Sequence, residues 1–225
     1  MDASQLAREV NRRLLDFYGQ PNWRNPLPPV DELVSTILSQ NTNDTNRDRA
    51  FMSLRLHYPT WEAVRDADPR SVIAAIRTAG LANQKGPRIQ QILREITAER
   101  GSLDLNFLKD LPLEEARAWL TKFKGVGPKT AAIVLLFSLG RPAFPVDTHI
   151  YRVTGRLGLR PEKMAVEVAH AYLEKTFPPE TYYAAHLNLI RLGREICAPR
   201  KPACERCPLQ DICNYARLAA SLSEL

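Results

Sequence analysis

All four cysteines of this 225-residue chain lie between positions 197 and 213, in the segment CAPRKPACERCPLQDIC. Six, two and five residues separate successive cysteines. Four thiolates from one short segment can close around a metal centre, either a tetrahedral zinc ion or an iron–sulfur cluster. Zinc ribbons usually use two close pairs on either side of a long arm, whereas here only Cys204 and Cys207 form a close pair. The spacing therefore favours a compact loop around one larger centre over a zinc ribbon. Four unliganded core cysteines are disfavoured because all four lie in one segment among polar residues and prolines.

The rest of the chain has the hydrophobic spacing of α-helices. Apolar residues recur at every third or fourth position near the N-terminus, at Leu6, Val10, Leu14 and Phe17. This pattern predicts a helix with one apolar face. No alternating apolar run is long enough to predict a strand, so the sequence indicates an all-α fold.

Prolines predict helix boundaries and a linker. The segment GQPNWRNPLPPV at 19–30 contains four prolines, which cannot propagate a helix, and it is the best linker candidate. Later helices are predicted to begin near DP (68–69), KGPR (85–88) and LPLEEA (111–116), because proline is favourable in a first helical turn. Chain termini often lie close together, so a second, discontinuous domain built from both ends is compatible with the sequence.

Charge and hydropathy limit the class of protein. The net charge is +6 and the isoelectric point is about 9.3, which is compatible with a polyanionic partner. The positive charge is concentrated at 122–129 and 191–206. The longest apolar run, Ala131 to Leu139, is too short to cross a bilayer, and the charged N-terminus is unlike a secretory signal. We therefore expect an intracellular protein that does not enter membranes.

A glycine-rich turn stands directly before the most apolar stretch of the chain. In KFKGVGPKTA, residues 122–131, Gly125 and Gly127 permit positive φ and a close approach of the backbone. Pro128 then starts a helix, whose first N–H groups lack partners and can bind an anion beside the flanking lysines. The pattern predicts a hairpin that grips a phosphate, although an ordinary loop between two helices also explains it.

The cysteine spacing resembles the [4Fe–4S] loop of the endonuclease III family of DNA glycosylases, and the glycine turn resembles that family's helix-hairpin-helix motif. The similarity extends over roughly residues 30 to 215, and includes ILSQNTND, IRTAGLANQKGPRI and GRPAFPVDTHIYRVTGRLG. It implies a two-lobed, all-α helix-hairpin-helix fold with the DNA cleft between the lobes. One lobe is a six-helix domain at 30–140, and the other is a discontinuous iron–sulfur domain from 1–29 and 141–225. Phe123-Lys124 depart from the family's frequent Leu-Pro.

The resemblance also implies a cofactor and its ligands. The cofactor is a [4Fe–4S] cluster with a structural role, bound by Cys197, Cys204, Cys207 and Cys213. The cluster holds a basic loop between the first two cysteines, in which Arg200 and Lys201 face a phosphate. A loop held in this way needs no large hydrophobic core of its own.

The same resemblance assigns residues to DNA chemistry. The family's catalytic lysine and aspartate fall on Lys129 and Asp147. Gln40 and Leu81 fall where the family inserts side chains into the base stack, as removal of a flipped base requires. Hairpin contacts with DNA are implied for Lys124, Gly125, Val126 and Gly127. For Gln40 and Leu81 taken singly, a loop glutamine and a core leucine are the ordinary explanations.

Lys129 favours a bifunctional enzyme, a glycosylase with AP lyase activity that proceeds through a Schiff base and β-elimination. Family members that remove adenine or thymine from mismatches with water lack this lysine. The expected substrate is duplex DNA that carries a damaged pyrimidine or a missing base. Gln40, Asn41 and Asp44 are closer to the plant demethylase glycosylases, so mismatched or 5-methylated pyrimidines are the alternative.

Two readings from other classes stay open. One is a DNA-binding iron–sulfur module without lyase activity, and the other is a zinc-stapled helical interaction protein. A pure DNA-binding module would need neither Lys129 nor Asp147. We expect a cytoplasmic monomer, associated with the nucleoid if the host is bacterial or archaeal.

Overall fold

The computed structural model describes residues 1–22 and 26–223, the side chains of 220–223 excepted, so the middle of the predicted linker lies outside the described residues. The α-helices of the described part are α1 (Ala3–Tyr18), α2 (Pro29–Ser39), α3 (Asp44–His57), α4 (Trp61–Asp66), α5 (Pro69–Ala75), α6 (Ala82–Arg100), α7 (Leu113–Thr121), α8 (Pro128–Ile133), α9 (Thr148–Leu157), α10 (Val166–Thr176), α11 (Tyr182–Glu195) and α12 (Asn214–Ser223). Short 3₁₀ turns occur at Arg77–Ala79, Asn106–Lys109, Pro179–Thr181, Cys204–Arg206 and Gln210–Ile212. These residues contain no strand, which confirms the predicted all-α class.

The chain divides into two compact units. One unit comprises Met1–Asn25 and Pro142–Leu225 and contains α1 and α9 to α12. The other comprises Pro26–Arg141 and contains α2 to α8. Within the described ranges, no helix has both the length and the apolar character needed to cross a bilayer.

The predicted N-terminal helix is confirmed as α1. Asp2 and Gln5 form a reciprocal capping box at its start, and Gly19 with φ +80° ends it. Ala7, Val10 and Leu14 are buried, but Phe17 is half exposed and packs edge-on against the neighbouring Tyr18 ring. The apolar face of α1 is therefore one turn shorter than the periodicity predicts.

The proline at position 87 does not start a helix. It lies inside α6, which begins five residues earlier at Ala82. Only one backbone hydrogen bond of the helix is lost at this proline, because its missing N–H would reach the carbonyl of Asn83 in the first turn. The predicted starts at Pro69 and just after Pro112 are confirmed by α5 and α7.

The core of the second unit surrounds α8. This short helix continues as a π-helical segment, Val134–Ser138, and Ala131, Val134 and Leu135 are fully buried. α2 and α7 pack against α8. π-Helical turns often mark functional sites, because one extra residue per turn shifts the side chains that follow. The buried segment fixes the direction of α8 and thereby of the hairpin before it.

Candidate functional site

The hairpin between α7 and α8 uses its two glycines differently. Gly125 has φ +89°, which strains any other residue, and a Cβ there would lie 2.5 Å from Cδ of Arg88, so the arginine side chain would also have to move. Gly127 has φ −94°, and nothing lies within 4 Å of an added Cβ. Of the two glycines only Gly125 uses positive φ, whereas Gly127 leaves the backbone uncovered.

Val126 faces the interior of its unit. Its side chain is 4% exposed, and its N–H donates to the carbonyl oxygen of Phe123 at 3.0 Å. The backbone N–H of Val126 is therefore already engaged within the turn, and the DNA contact implied for this residue stays a prediction. In the described part of the chain, the N–H groups of Gly127, Lys129 and Thr130 have no backbone acceptor. These are the donors that a first helical turn leaves available.

Lys129 lies in the first turn of α8. It is half-buried, and the two residues that follow it, Thr130 and Ala131, are buried. Across the described ranges, its Nζ makes no hydrogen bond and no ion pair. Lys124, before the turn, is exposed. The two lysines therefore differ in environment, and only Lys129 is held against the apolar helix.

Gln40 is bonded to the hairpin. Its Nε2 donates to the carbonyl oxygen of Gly125 at 3.1 Å, and its Oε1 accepts from Nη1 of Arg88 at 3.2 Å. Arg88 also covers Gly125 from the side where a Cβ would point. Gln40, Arg88 and the hairpin therefore form one hydrogen-bonded surface within the second unit. Sequence reasoning missed Arg88, because nothing local indicates that α6 reaches the hairpin.

Among the residues that the structure describes, three other than glycine have positive φ, all in loops that the sequence analysis assigned to DNA. They are Asn41 (φ +55°), Leu81 (φ +50°) and Lys201 (φ +50°). Left-handed backbone is unfavourable for such residues and tends to occur at functional sites. Leu81 is 49% exposed although it is a large apolar residue. The side chain assigned to the base stack thus projects from a strained turn and not from a core.

Lys85 is the most unusual charged residue of the second unit. Its side chain is only 1% exposed, and its Nζ donates to the carbonyl oxygens of Leu38 and Ala79, both at 2.8 Å. Burial lowers the pKa of Lys85, and the neighbouring Arg88 lowers it further. No local pattern indicates this buried position, because a lysine in a helix is usually solvated.

Asp147 is the N-cap of α9. Its Oδ1 accepts from the backbone N–H of Ile150 at 2.8 Å, and the residue is half-buried. Capping explains why an acidic residue is favourable here without reference to catalysis. Nothing in the described part of the chain bonds Oδ2, so that oxygen is available for chemistry.

The loop that leads into Asp147 is buried and tied down by side chains. The N–H of Phe144 donates to Oε2 of Glu174 at 2.8 Å, and the N–H of Val146 donates to Nδ1 of His170 at 3.4 Å. Nδ1 of His186 pairs with the carbonyl oxygen of Pro145 at 2.9 Å. Three side chains from α10 and α11 therefore hold the backbone before Asp147, and sequence reasoning found none of them.

Phe144 anchors the same loop by packing. Its ring stacks on Phe177 at 5.1 Å between centroids and meets Tyr182 edge-on at 5.2 Å. Phe144 and Phe177 are almost completely buried. The loop is therefore part of the core of its unit, and Asp147 lies where the core ends.

The cysteine thiols are near enough to influence one another electrostatically. Burial raises the pKa of Cys207 to about 11, and the other three thiols add to the increase. Burial also raises the pKa of Cys204, again with contributions from Cys213 and Cys197. In the described residues no three His, Cys, Asp or Glu side chains are grouped closely enough for a single metal ion. A [4Fe–4S] cluster differs from a single-ion site in that each cysteine binds a different iron atom.

Two arginines of α9 bind the start of the cysteine segment. Arg156 donates through Nη1 to Sγ of Cys197 at 3.2 Å and to the carbonyl oxygen of Ala198 at 2.7 Å. Arg152 donates through Nε to the carbonyl oxygen of Cys197 at 3.0 Å. Hydrogen bonds to a ligand sulfur orient it and favour the thiolate. The basic residues Arg200 and Lys201 are exposed in the loop that follows.

A cluster is supported by the donor set itself. The four sulfurs come from one segment with little regular structure, and α9 supplies cationic donors to it. When bound, a cluster would supply a covalent staple between the two ends of the segment. Cys197, Cys204, Cys207 and Cys213 are the residues that would hold it.

Two family models match the chain. The HhH-GPD superfamily of base excision DNA repair proteins matches residues 34–179, and the iron-sulfur binding domain of endonuclease III matches residues 197–213. The second match confirms the predicted iron–sulfur cofactor.

Several known proteins are similar to the chain. Endonuclease III of Thermotoga maritima is 33% identical over 213 residues, which is 95% of this chain and 92% of that protein. An Arabidopsis thaliana protein named as a candidate DNA glycosylase is 40% identical over 169 residues, 75% of this chain but only 57% of that relative. The DNA glycosylase/AP lyase ROS1 of the same plant is 31% identical over 182 residues, 73% of this chain and 13% of that protein.

A solved structure has the same fold. A non-covalent endonuclease III–DNA complex superposes with a TM-score of 0.82 at 26% identity, and covers 98% of this chain and 100% of that one. The predicted fold and the predicted resemblance are confirmed by this agreement.

Proposed function

Because the chain belongs to the HhH-GPD superfamily of base excision DNA repair proteins, we propose that it is a DNA glycosylase with AP lyase activity on damaged pyrimidines in duplex DNA. The observation that carries the lyase part is Lys129. It lies in the first turn of α8, half-buried and without a partner for its amine among the described residues. A lysine held for structural reasons would ordinarily be solvated or paired.

The proposed reaction begins with the unprotonated amine of Lys129. The amine attacks C1′ of the sugar, the bond from C1′ to the base breaks, and the base leaves with the bonding electrons and takes up a proton. Loss of the amine proton and opening of the sugar ring give a Schiff base between Lys129 and C1′. Removal of a proton from C2′ then expels the 3′ phosphate by β-elimination, and water releases the lysine.

Asp147 is assigned the carboxylate role. Its Oδ1 is engaged at the N-terminus of α9, which fixes the orientation of the group. We assign Oδ2 to stabilising positive charge on the sugar as the base departs and to accepting a proton. The buried loop before Asp147 keeps this carboxylate in place.

Double-stranded DNA is the proposed partner. Leu81, exposed on its strained turn, is suited to filling the space that a flipped nucleotide leaves. Gln40 is the polar counterpart, and its bonds to Gly125 and Arg88 would have to break or shift as it enters the stack. Uncovered N–H groups at Gly127 and Lys129 are assigned to a backbone phosphate. Further positive charge for the proposed binding of DNA comes from Lys124, Arg200 and Lys201.

The target base has one alternative. Similarity to endonuclease III over nearly the whole chain supports damaged pyrimidines. Similarity to a plant DNA glycosylase/AP lyase supports a mismatched or 5-methylated pyrimidine instead. Single-turnover excision and nicking, scored separately on duplexes with thymine glycol, dihydrouracil, 5-methylcytosine and G:T or G:U pairs, would decide between them.

Borohydride trapping tests the lyase mechanism. Reduction of the Schiff base should link the protein covalently to a lesion-bearing or abasic duplex, and Lys129→Gln should abolish the product. The matched control is Lys124→Gln, which removes an exposed lysine from the same hairpin. This control should still be trapped, while its DNA binding shows a salt dependence smaller by about one phosphate contact.

The opposite results are equally clear. Failure of the unaltered protein to form a trapped species on any modified base or abasic site would remove the lyase assignment. Equal loss of trapping in both variants would show that binding, and not the nucleophile, had been disturbed.

A further inference from the structure

Lys85 contacts the two segments that lead into the residues assigned to the base stack. Its two acceptors are the carbonyls of Leu38 and Ala79. Leu38 lies two residues before Gln40, and Ala79 lies two residues before Leu81. One buried ammonium group therefore joins the ends of two segments that are far apart in sequence.

Both acceptors lie at helix ends. Leu38 is in the last turn of α2, and Ala79 ends the 3₁₀ turn at Arg77–Ala79. Carbonyls at such positions lack partners within their own helix, and the C-terminal end of a helix attracts positive charge. The partners of this buried lysine are therefore carbonyls at helix ends and not a carboxylate. The lysine satisfies groups that would otherwise be buried and unpaired.

The turns that follow these carbonyls are strained. Asn41 follows Gln40 with φ +55°, and Gly80 and Leu81 have φ +68° and +50° in succession. Strained backbone persists only where the surrounding structure determines it. Lys85 itself is firmly placed, because its N–H donates to the carbonyl oxygen of Leu81 at 2.9 Å within the first turn of α6.

We propose that Lys85 is a positioning residue that sets the two strained turns in register, so that Leu81 and Gln40 can enter duplex DNA together. The proposal rests on the assignment of these residues to the base stack in the proposed function. Burial of the Lys85 side chain lowers its pKa, which is consistent with a lysine that holds backbone segments in place and does not contribute surface charge.

The chain provides a matched control on the same helix. Gln90 is also 1% exposed, and its Nε2 donates to the carbonyl oxygens of Val64 and Ala67 at 2.9 and 2.8 Å. Lys85→Met and Gln90→Leu each remove two hydrogen bonds that a buried side chain of α6 donates to backbone carbonyls. Only the first pair of bonds leads to the strained turns.

The test combines hydrogen exchange in the free protein with activity on DNA. Lys85→Met should accelerate amide exchange at 39–42 and 80–84 by at least tenfold, whereas Gln90→Leu should do so only around Val64 and Ala67. For Lys85→Met, the ratio of duplex to single-strand cleavage at an abasic site should fall at least tenfold. For Gln90→Leu, this ratio should change less than twofold.

Each outcome has a defined meaning. Unchanged exchange at the two turns in Lys85→Met would overturn the positioning role, and so would equal loss of duplex and single-strand cleavage. If Lys85→Met does not fold, Lys85→Gln, which keeps an amide donor, should restore folding and show a smaller fall in the ratio. If the unaltered protein cleaves neither substrate while Lys85→Met accelerates exchange at both turns, the proposed function fails. The role of Lys85 in holding the two turns is then still supported.

Discussion

Asp147 combines a cap and a charge in one carboxylate. Its Oδ1 completes the first turn of α9, while Oδ2 is the oxygen assigned to chemistry. Asparagine is as good an N-cap as aspartate but carries no charge. The two roles can therefore be separated by substitution at this one position.

We expect Asp147→Asn to keep the thermal stability of the protein and to lower base excision about a hundredfold or more, the range for loss of a positioned acid or base. Asp147→Ala should lose the same activity and, in addition, about 1 kcal/mol of stability through the missing cap. Thermal unfolding and single-turnover excision would measure the two effects. Full activity in Asp147→Asn would leave this residue with the capping role alone.

The loop before Asp147 behaves as an element of the core. We expect Glu174→Ala to lower the free energy of unfolding by about 1–3 kcal/mol, because the buried N–H of Phe144 loses its acceptor. The matched control is Lys175→Ala at an exposed position of α10, which should change stability by less than about 0.5 kcal/mol. Urea unfolding measures both, and similar values for the two variants would contradict the role given to Glu174.

The contact between α9 and the cysteine segment depends on Arg156. We expect Arg156→Met to speed the loss of the cluster's visible absorbance under oxygen or chelator severalfold, since Sγ of Cys197 loses a charged donor. Arg206→Met removes an exposed arginine from the cysteine segment itself and serves as the control. Equal rates of bleaching in the two variants would show that net charge, and not the hydrogen bond, protects the cluster.

Elements differ in how far their sequence determines them. Local patterns were sufficient to place α1, although they made its apolar face one turn too long at Phe17. They failed at α6, because Pro87 is tolerated inside a helix that packing against α4 and α5 begins earlier. They also failed for the loop before Asp147, since the side chains that bond its backbone, His170, Glu174 and His186, lie more than twenty residues away in sequence. Local signals locate a turn, but tertiary contacts decide what holds it.

The whole molecule consists of two units with separate cores, and the cysteines belong to only one of them. We expect removal of iron to accelerate hydrogen exchange at 197–213, where regular structure is limited to two short 3₁₀ turns. Exchange in the core of α2 and α8 should change little. Measurement of both regions in cluster-loaded and cluster-free protein checks this, and general unfolding would contradict it.

The candidate site could be predicted from the sequence only in part. Lys129 and the cysteines are recognisable because their spacing is fixed by a turn or by a cofactor within one short segment. Lys85 and Arg88 act across long distances in the chain, on Leu38 and on the hairpin, and no local pattern indicates such contacts. Candidate residues within one short segment were recognisable from the sequence, whereas Lys85 and Arg88 required the fold.

The left-handed backbone of Leu81 has a consequence for how such a chain is optimised. Glycine at this position would relieve about 1–2 kcal/mol of steric strain and would also remove an exposed apolar side chain. A design procedure that optimises stability alone would therefore choose glycine here. The resulting protein would be more stable but would lack the side chain proposed to enter the base stack. Stability therefore favours glycine at position 81, whereas the proposed insertion into DNA favours leucine. Stabilised variants of this chain should keep Leu81 unchanged.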